Sequence, residues 1–152
     1  MPSFSTEHEV DHSATEMFDL VADVEKYPQF VPLCERLVIR GRKPDGNREI
    51  LIADMTVAYK LIRETFTSRV TLDRPALTIL VEYLDGPFSR MENRWTFREL
   101  NERACEVEFF IDYEFRSRIL AMLMGAMFEA AFRRFAAAFE KRADQVYGKK
   151  VS

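Results

Sequence analysis

The side chains that could do acid–base or metal chemistry are few and scattered along this sequence. His8 and His12 lie four positions apart, a spacing that would place two imidazole ligands on one face of a helix. The turn expected just before Ser13 instead leaves His8 on a strand and His12 beside a helix cap. The two histidines therefore do not predict a metal site.

The cysteines and the short motifs give no indication of catalysis either. Cys34 and Cys105 are far apart and neither belongs to a CxxC motif, so we expect two reduced thiols rather than a disulfide or a zinc site. The sequence contains no nucleophile elbow, no glycine-rich phosphate loop and no HExxH helix. We predict a binding protein with no catalytic residue, no metal and no covalently held cofactor.

Some polar residues fall on the apolar side of segments that alternate like strands. Glu64 and Asn93 occupy such positions, and buried polar groups need partners. Three tyrosines add hydroxyl groups on the same side: Tyr59, Tyr83 and Tyr113. These side chains are candidates to meet the polar group of a ligand. For Glu64 the alternative is a structural ion pair with Arg63 or Arg90.

A long C-terminal helix is the element that must cover these residues. The spacing predicts it over residues 116–147, about 45 Å at 1.5 Å per residue. One face of its second half carries Phe128, Phe132, Phe135, Phe139 and Val146. Its first half has no polar side chain from Ile119 to Phe128, so apolar surface surrounds the helix there. One sheet face cannot cover that surface, which leaves loops, a ligand, a second subunit or a membrane to do so.

The chain before this helix predicts a sheet interrupted once by short helices. Residues 3–10 alternate as a half-buried strand does. Ser13 and Glu16 form a capping box that starts a short helix ending near Ala22. Pro28 and Pro32 restrict residues 23–34 to a second short helix and an apolar loop.

Residues 36–115 predict six further strands. Turn signals separate them at residues 44–46, 73–75, 85–87 and 101–102. Alternation places one set of side chains toward the last helix: Leu51, Ala53, Met55, Val57 and Tyr59; Met91, Asn93, Trp95 and Phe97; Cys105, Val107, Phe109, Ile111, Tyr113 and Phe115. The predicted fold class is α+β, one domain over residues 1–152 with a seven-stranded antiparallel sheet curled around the long helix.

Composition limits the function classes. The 152 residues carry 22 lysines and arginines against 25 aspartates and glutamates, a formal net charge of −3, which disfavours nucleic-acid binding. The first residues, MPSFSTEHEV, lack the pattern of a secretory signal, and no apolar run reaches the length of a membrane span. We expect a cytoplasmic protein.

Three segments together resemble a known family. They are YPQFVPLC at 27–34, RETFTSRVTL at 63–72 and GPFSRMENRWTF at 86–97. This combination resembles the coenzyme Q-binding, START-like family of polyketide-cyclase-type proteins over nearly the whole chain. The resemblance implies a helix-grip fold with an apolar tunnel that binds ubiquinone or a related prenyl lipid, as a carrier or chaperone for respiratory electron transfer.

The resemblance leaves two alternatives open. The chain departs from the family pattern at Leu33, where tryptophan is frequent, and at Ser89–Arg90, where a lysine is frequent. The same superfamily includes bacterial ribosome-association toxins, which share much of the first segment, and that alternative implies a ribosomal subunit as partner. A polyketide cyclase or aromatase is the enzyme alternative, implied by the fold alone.

A prenyl quinone requires a long apolar slot with few polar groups at its head. We expect sixteen residues to line it: Phe30, Val31, Leu33, Val57, Tyr59, Glu64, Phe66, Phe88, Met91, Asn93, Trp95, Phe97, Met124, Met127, Phe128 and Ala131. Dense core packing is the competing explanation for each of them.

A carrier of a bilayer lipid must also reach the bilayer. Phe88, Arg90, Leu120 and Met124 combine apolar and basic side chains near the expected mouth of the slot, as interfacial segments do. We predict transient membrane contact there, which would place the protein peripherally on the inner face of the inner membrane. A homodimer through the same surface is the competing prediction.

Overall fold

The computed structural model describes residues 3–148. A seven-stranded antiparallel sheet packs one face against a long C-terminal helix, with two short helices after the first strand. The strands are β1 (Ser3–Val10), β2 (Cys34–Asp45), β3 (Arg48–Tyr59), β4 (Ile62–Asp73), β5 (Thr78–Asp85), β6 (Phe88–Asn101) and β7 (Ala104–Phe115). The helices are α1 (Ala14–Ala22), a short 3₁₀ helix (Val24–Gln29) and α2 (Arg118–Tyr147). The predicted α+β helix-grip architecture is confirmed.

The strand order is β1-β7-β6-β5-β4-β3-β2, so each strand from β2 onward pairs with its neighbour in sequence and β1 closes against β7. Because neighbouring strands are antiparallel, β2, β4 and β6 begin at the sheet end where β3, β5 and β7 finish. Helix α2 also starts there. We call this end of the molecule the α2 end.

The local signals at the first helix are confirmed. The Ser13 hydroxyl accepts a hydrogen bond from Glu16 N at 3.1 Å, and the Glu16 carboxylate accepts one from Ser13 N at 3.0 Å. Together they satisfy two backbone donors at the start of α1. Helix α2 begins at Arg118 rather than at residue 116 because Ser117 caps it, its hydroxyl accepting from Leu120 N at 3.1 Å.

The turns follow the predicted signals with one exception. The exception is the β3–β4 hairpin, whose turn residues Lys60 and Leu61 are not turn formers, and Lys60 adopts a φ of 56° there. Gly86, in the β5–β6 turn, has a φ of 141°. A Cβ atom on Gly86 would lie 2.6 Å from Phe66 Cβ, so glycine is required by both backbone conformation and space.

Burial follows the predicted alternation closely. Every second residue of β7 from Cys105 to Phe115 is buried, and the side chains between them are partly exposed. On α2, Phe128, Phe132 and Phe139 are buried and Phe135 packs against them. Val146 is an error of the helical-face prediction: it is 52% exposed, because Ala143 and Tyr147 are the residues of the last turns that pack on the core.

The C-terminal half of α2 is tied to the first strand and helix by polar contacts. His8 Nε2 lies 3.0 Å from Glu140 Oε1, and His12 Nε2 lies 2.7 Å from Asp144 Oδ1. The Tyr147 hydroxyl donates to the Glu16 carbonyl at 3.0 Å. Each histidine therefore contacts a different carboxylate, and within residues 3–148 no three His, Cys, Asp or Glu side chains converge as a metal site requires.

The first half of α2 leaves apolar side chains in solvent, as its composition predicts. Ile119, Met122 and Leu123 are exposed, and Met122 is 82% exposed. Among residues 3–148, no helix is long and apolar enough to cross a membrane.

Candidate ligand-binding site

A partly enclosed cavity of about 110 Å³ lies between the sheet and α2. Its walls are almost entirely apolar and come from three parts of the chain. Helix α2 supplies Phe128, Ala131, Phe132, Phe135 and Phe139. The segment with the two prolines supplies Val24, Tyr27, Val31, Pro32 and Leu33. The strands supply Leu37, Ala53, Met55, Val57, Phe66, Ser68, Val70, Ile79, Val81, Phe88, Met91, Asn93, Trp95, Phe109 and Ile111.

Three polar side chains line the cavity, and two of them form hydrogen bonds with the protein. Asn93 Nδ2 donates to the Phe110 carbonyl at 2.8 Å, while Asn93 Oδ1 accepts from Trp95 Nε1 at 3.0 Å. The Tyr27 hydroxyl donates to the Val21 carbonyl at 2.5 Å. Burial of that hydroxyl raises the pKa of Tyr27 far above its usual range, so it remains protonated.

Ser68 is the third polar residue of the wall, and it differs from the other two in its hydrogen bonding. It is buried in the middle of β4, opposite Ala53 of β3 and Tyr83 of β5. Within the described chain its hydroxyl forms no hydrogen bond, whereas Asn93 and Tyr27 beside the same cavity do. The Ser68 oxygen is not fully buried: among residues 3–148, His12 Nδ1 is the one side-chain polar atom that is both fully buried and without a partner. Ser68 is thus the polar group of the wall that is available to a ligand.

Trp95 occupies the centre of the aromatic packing around the cavity. Its ring centroid lies 4.8 Å from that of Phe109 and 5.0 Å from that of Phe139, both in edge-on geometry. The hydrogen bond to Asn93 fixes the indole nitrogen. Sheet and helix therefore hold the single tryptophan of the chain in one orientation against the cavity.

Leu33 enters the cavity from a strained backbone position. Its φ is 69°, in the left-handed region that non-glycine residues rarely adopt. Its carbonyl accepts a hydrogen bond from Ala58 N at 3.0 Å, which ties the loop before β2 to the end of β3. Such strain of about 1 kcal/mol or more persists only where surrounding contacts enforce it.

The structure brings ten of the sixteen predicted ligand residues to the cavity wall. They are Val31, Leu33, Val57, Phe66, Phe88, Met91, Asn93, Trp95, Phe128 and Ala131. Whether they bind a ligand stays a prediction. The other six do not line the cavity: Phe30, Tyr59, Glu64, Phe97, Met124 and Met127.

The six residues outside the wall have identifiable positions. Phe30 packs edge-on against Phe139, 5.1 Å between centroids, beside the cavity rather than in it. Phe97 packs against Phe18 of α1 at 6.0 Å, further along β6. Tyr59 is 43% exposed because β3 ends there. Met124 is buried and Met127 partly buried in the core toward the start of α2.

The ion pair that is the alternative for Glu64 does not form. Arg63 bonds Glu35 through two nitrogen atoms at 2.7 Å each. Arg90 bonds Asp112 at 3.1 Å and Glu114 at 2.8 Å. Both arginines therefore have other carboxylate partners, and Glu64 neither pairs with them nor reaches the cavity.

Two of the four residues predicted for membrane or partner contact are wrong. Phe88 and Met124 are buried, because Phe88 stacks on Phe115 at 5.1 Å and Met124 faces the sheet side of α2. Arg90 is partly exposed but occupied by its carboxylates, and Leu120 is half-buried. Exposed apolar residues near this end of the molecule include Ile119, Met122 and Leu123 of α2, Leu61 of the β3–β4 turn and Leu84 of β5.

Sequence reasoning missed fifteen of the wall residues. Among them are Phe109, Phe132, Phe135 and Phe139, which the spacing predicts correctly on inward faces but which were not among the predicted ligand residues. Ser68 could have been found from the sequence, because it is a small polar residue at an inward position between apolar residues of the same strand face. Alternation shows which face of the sheet a residue occupies. It does not show at which positions along a strand the helix leaves space for a cavity.

The two thiols are not part of the site chemistry. Burial raises the pKa of Cys34 to about 11 and that of Cys105 to about 11. Neither residue lines the cavity.

Comparison with known proteins agrees with this geometry. Residues 10–140 match the family described as polyketide cyclase / dehydrase and lipid transport. The chain belongs to that family. A START superfamily protein of Mycobacterium smegmatis superposes with a TM-score of 0.78 at 23% identity, covering 95% of this chain and 98% of that one. The predicted family and START-like fold are thereby confirmed.

Two curated relatives represent the two biological roles considered above. The ribosome association toxin RatA of Escherichia coli is 35% identical over 147 residues, 97% of this chain and 90% of the relative. The mitochondrial coenzyme Q-binding protein COQ10 homolog B of Xenopus laevis is 30% identical over 141 residues, 90% of this chain and 56% of the relative. Similarity to the toxin is the higher and covers more of the relative.

Proposed function

We propose that this protein binds an apolar small molecule in the cavity, with one polar group of the ligand at the Ser68 hydroxyl. The observation that carries this proposal is a partly enclosed, almost entirely apolar wall that includes one hydroxyl, that of Ser68, with no hydrogen bond to the described chain. Binding pockets for such ligands are mostly apolar with a few placed polar groups.

The size of the cavity limits how much ligand it accepts as it stands. Pockets for drug-sized ligands usually enclose about 300–1,000 Å³, and an engineered cavity of about 150 Å³ binds benzene. A volume of 110 Å³ therefore suits one ring or one isoprene unit. A prenyl quinone would fit only after aromatic side chains of the wall move, or with most of its tail outside.

A ubiquinone or a related prenyl lipid remains one candidate for the ligand. Its support is the similarity to the coenzyme Q-binding relative and the apolar wall with a single free hydroxyl donor for a quinone oxygen. A role in respiration, which this ligand would imply, has weaker support than ribosome association. The toxin relatives are more similar to this chain than the coenzyme Q-binding relative is.

The wall supports binding without catalysis. Tyr27 is the only residue of the wall that titrates, and its hydroxyl is held protonated against the Val21 carbonyl. General acid–base chemistry, which a cyclase or aromatase would use, requires a group whose pKa lies near the working pH. We propose that the protein carries or senses its ligand rather than transforming it.

The first test identifies and measures the ligand. Organic extraction of the purified protein followed by mass spectrometry should recover an apolar molecule in near-stoichiometric amount. Titration of ligand-free protein with a short-tailed ubiquinone analogue should quench Trp95, the single tryptophan, which lies in the wall. Absence of both an extracted molecule and saturable quenching would exclude the proposal.

Matched variants locate binding in the cavity. Ala131→Leu places three more carbon atoms in the wall, whereas Ala137→Leu makes the same change on the exposed side of α2. We expect Ala131→Leu to weaken saturable binding at least about tenfold, since a filled cavity has no room for the ligand. Ser68→Ala should weaken it by a smaller factor, about fivefold, the size of one lost hydrogen bond. Equal binding by Ala131→Leu and Ala137→Leu would place the ligand elsewhere.

Ribosome association is the second candidate function. Its support is the 35% identity to the ribosome association toxin over nearly the full length of both chains. Under this proposal the protein should co-sediment with a ribosomal subunit in sucrose gradients, and its overexpression should arrest growth. Sedimentation of all the protein at the top of the gradient, at low salt, would remove this candidate.

A further inference from the structure

The sheet ends in two edge strands, β1 and β2, and their edges differ. Strand β2 carries features that usually protect an edge from pairing with other chains: two irregularities in its register, Pro44, and the 3₁₀ helix that packs against it. Strand β1 has none of these. Its pairing with β7 is continuous from Ser3 to Val10, and it contains no proline, glycine or lysine. Its edge is therefore regular over eight residues.

The outer edge of β1 is open. In an antiparallel pair, alternate residues direct their backbone N–H and C=O groups toward the partner strand, and the residues between them direct theirs away. Strand β1 has only β7 as a neighbour, and among residues 3–148 its backbone forms no hydrogen bond outside that pairing. Phe4, Thr6 and His8 lie on the α2 side of the sheet and are still partly exposed, which agrees with an uncovered flank.

The outward face of the sheet beside this edge is acidic. Glu7 lies directly opposite Glu108 of β7, and Glu9 lies directly opposite Glu106. Like charges in such positions destabilise a sheet. Arg98 of β6 binds Glu106 at 2.7 Å, whereas Glu7, Glu9 and Glu108 form no ion pair within the described chain. Four carboxylates against one guanidinium leave an excess of negative charge along β1 and β7.

Other cations on this side of the molecule have acids of their own. Arg94, also on β6, binds Glu92 at 2.6 Å. Arg133, on the exposed side of α2, binds Glu129 at 2.7 Å. Glu140 of α2 adds a further carboxylate beside β1. The carboxylates of β1 are therefore free to meet cations from outside the chain.

We propose that β1 accepts an extended segment of a basic partner protein as an eighth strand of the sheet, with lysine or arginine side chains of that segment against Glu7 and Glu9. In strand addition, backbone hydrogen bonds to the open edge supply affinity and alternate side chains supply specificity. Side chains directly opposite each other on neighbouring strands lie about 5 Å apart. A cation at every second position of the added strand therefore meets the two acids in turn.

Other occupants suit this edge less well. A second copy would bring its own β1 alongside through a two-fold axis, which places Glu7 and Glu9 of both copies close together. Like charges across an interface are unfavourable. A nucleic acid or an anionic bilayer meets the same repulsion, and neither offers the row of peptide N–H and C=O groups that completes a strand.

A designed peptide tests the proposal with the full chain. The probe is a fluorescently labelled octapeptide of alternating lysine and threonine, blocked at both ends. We expect saturable binding by fluorescence anisotropy at low salt, which weakens as salt is raised. A glutamate–threonine octapeptide should bind at least about tenfold more weakly. The lysine–threonine peptide methylated on every backbone nitrogen keeps its charge but cannot donate strand hydrogen bonds, and it should also bind at least about tenfold more weakly.

Hydrogen exchange separates strand addition from attraction by charge alone. The β1 amides that point away from β7 should exchange at least about tenfold more slowly with the peptide bound, because they then have hydrogen-bond partners. Amides of β2 should be unchanged. Absence of peptide binding, protection at β2, no protection in β1, or equal binding of the methylated peptide would each overturn the proposal.

Matched charge reversals locate the contact. Glu7→Lys/Glu9→Lys should weaken binding of the lysine–threonine peptide at least about tenfold. Asp23→Lys/Asp85→Lys makes the same change in net charge at two exposed acids away from β1, and it should bind like wild type. Equal binding by the two double variants would overturn the proposal, as would a wild-type dimer in sedimentation equilibrium that Glu7→Lys/Glu9→Lys strengthens or dissolves. Quenching of Trp95 by the quinone analogue should be unchanged in both variants, so failure here is separable from failure of cavity binding.

Discussion

Burial removes both cysteines from the reactions that free thiols usually undergo. The pKa of each is raised to about 11, since the thiolate is poorly solvated in the core. About one thiol in a thousand would be ionised near pH 8, against roughly a quarter of exposed thiols with a pKa of about 8.5.

We expect iodoacetamide to label Cys34 and Cys105 at least about a hundredfold more slowly in folded than in unfolded protein near pH 8. The raised pKa sets the sign of the pH dependence: labelling of folded protein should keep rising as pH approaches 11, after unfolded protein has levelled off. Mass spectrometry of time points in buffer and in urea measures this. Fast labelling of the folded protein would show that one of these thiols reaches solvent.

At the scale of the element, the second half of α2 is held to the rest of the protein by polar contacts. It is anchored by two histidine–carboxylate contacts of the same spacing, His8–Glu140 and His12–Asp144. The two histidines differ in environment: the His12 side chain is 1% exposed and that of His8 is 41% exposed. His12 Nδ1 has no hydrogen-bond partner among the described residues, so Asp144 is the contact that satisfies this buried ring.

Removing the two carboxylates should therefore have unequal effects. Asp144→Ala leaves a buried imidazole without its partner and should lower the free energy of unfolding by about 2 kcal/mol. Glu140→Ala makes the same change in the same helix beside a solvated histidine and should lower it by less than about 0.5 kcal/mol. Urea unfolding followed by circular dichroism measures both. Equal losses would show that His12 gains nothing from Asp144 beyond a surface contact.

The β5–β6 turn is the second element whose sequence is strictly constrained. Gly86→Ala would force a Cβ atom to within 2.6 Å of Phe66 Cβ at a φ of 141°. We expect a loss of about 3 kcal/mol in unfolding free energy. Gly41→Ala, which meets open space, is the matched control and should change stability by about 0.5 kcal/mol or less. A Gly86→Ala protein as stable as wild type would mean that this turn rearranges freely.

The same elements show what a sequence can and cannot predict. Alternation in β7 and the Ser13–Glu16 capping box are local patterns, and both are confirmed. The turn at Lys60 was not visible, because a lysine with φ above zero is held by the hairpin around it and not by its own preference. The wall of the cavity depends on where α2 crosses the sheet, and no local pattern encodes that crossing.

At the scale of the whole molecule, the cavity is a cost to stability. Unfilled core volume destabilises by about 24 cal/mol per Å³, so 110 Å³ corresponds to about 2.6 kcal/mol. Filling the cavity should recover part of that free energy of unfolding. Ala131→Leu should be as stable as wild type or up to about 2 kcal/mol more stable in urea unfolding, provided that the leucine adopts an ordinary rotamer. Marked destabilisation would mean that the space is narrower than its volume suggests.

The cavity-filled variant also separates the two proposed functions. A ribosomal subunit can contact only the surface of this protein, whereas the ligand enters its core. We therefore expect Ala131→Leu to lose saturable quenching of Trp95 and yet to co-sediment with ribosomal subunits as wild type does, with Ala137→Leu normal in both assays. Sucrose-gradient sedimentation at matched salt, with blotting of each fraction, makes the comparison. If Ala131→Leu keeps its stability but loses both activities, ribosome association would depend on the ligand, and the two functions would be one.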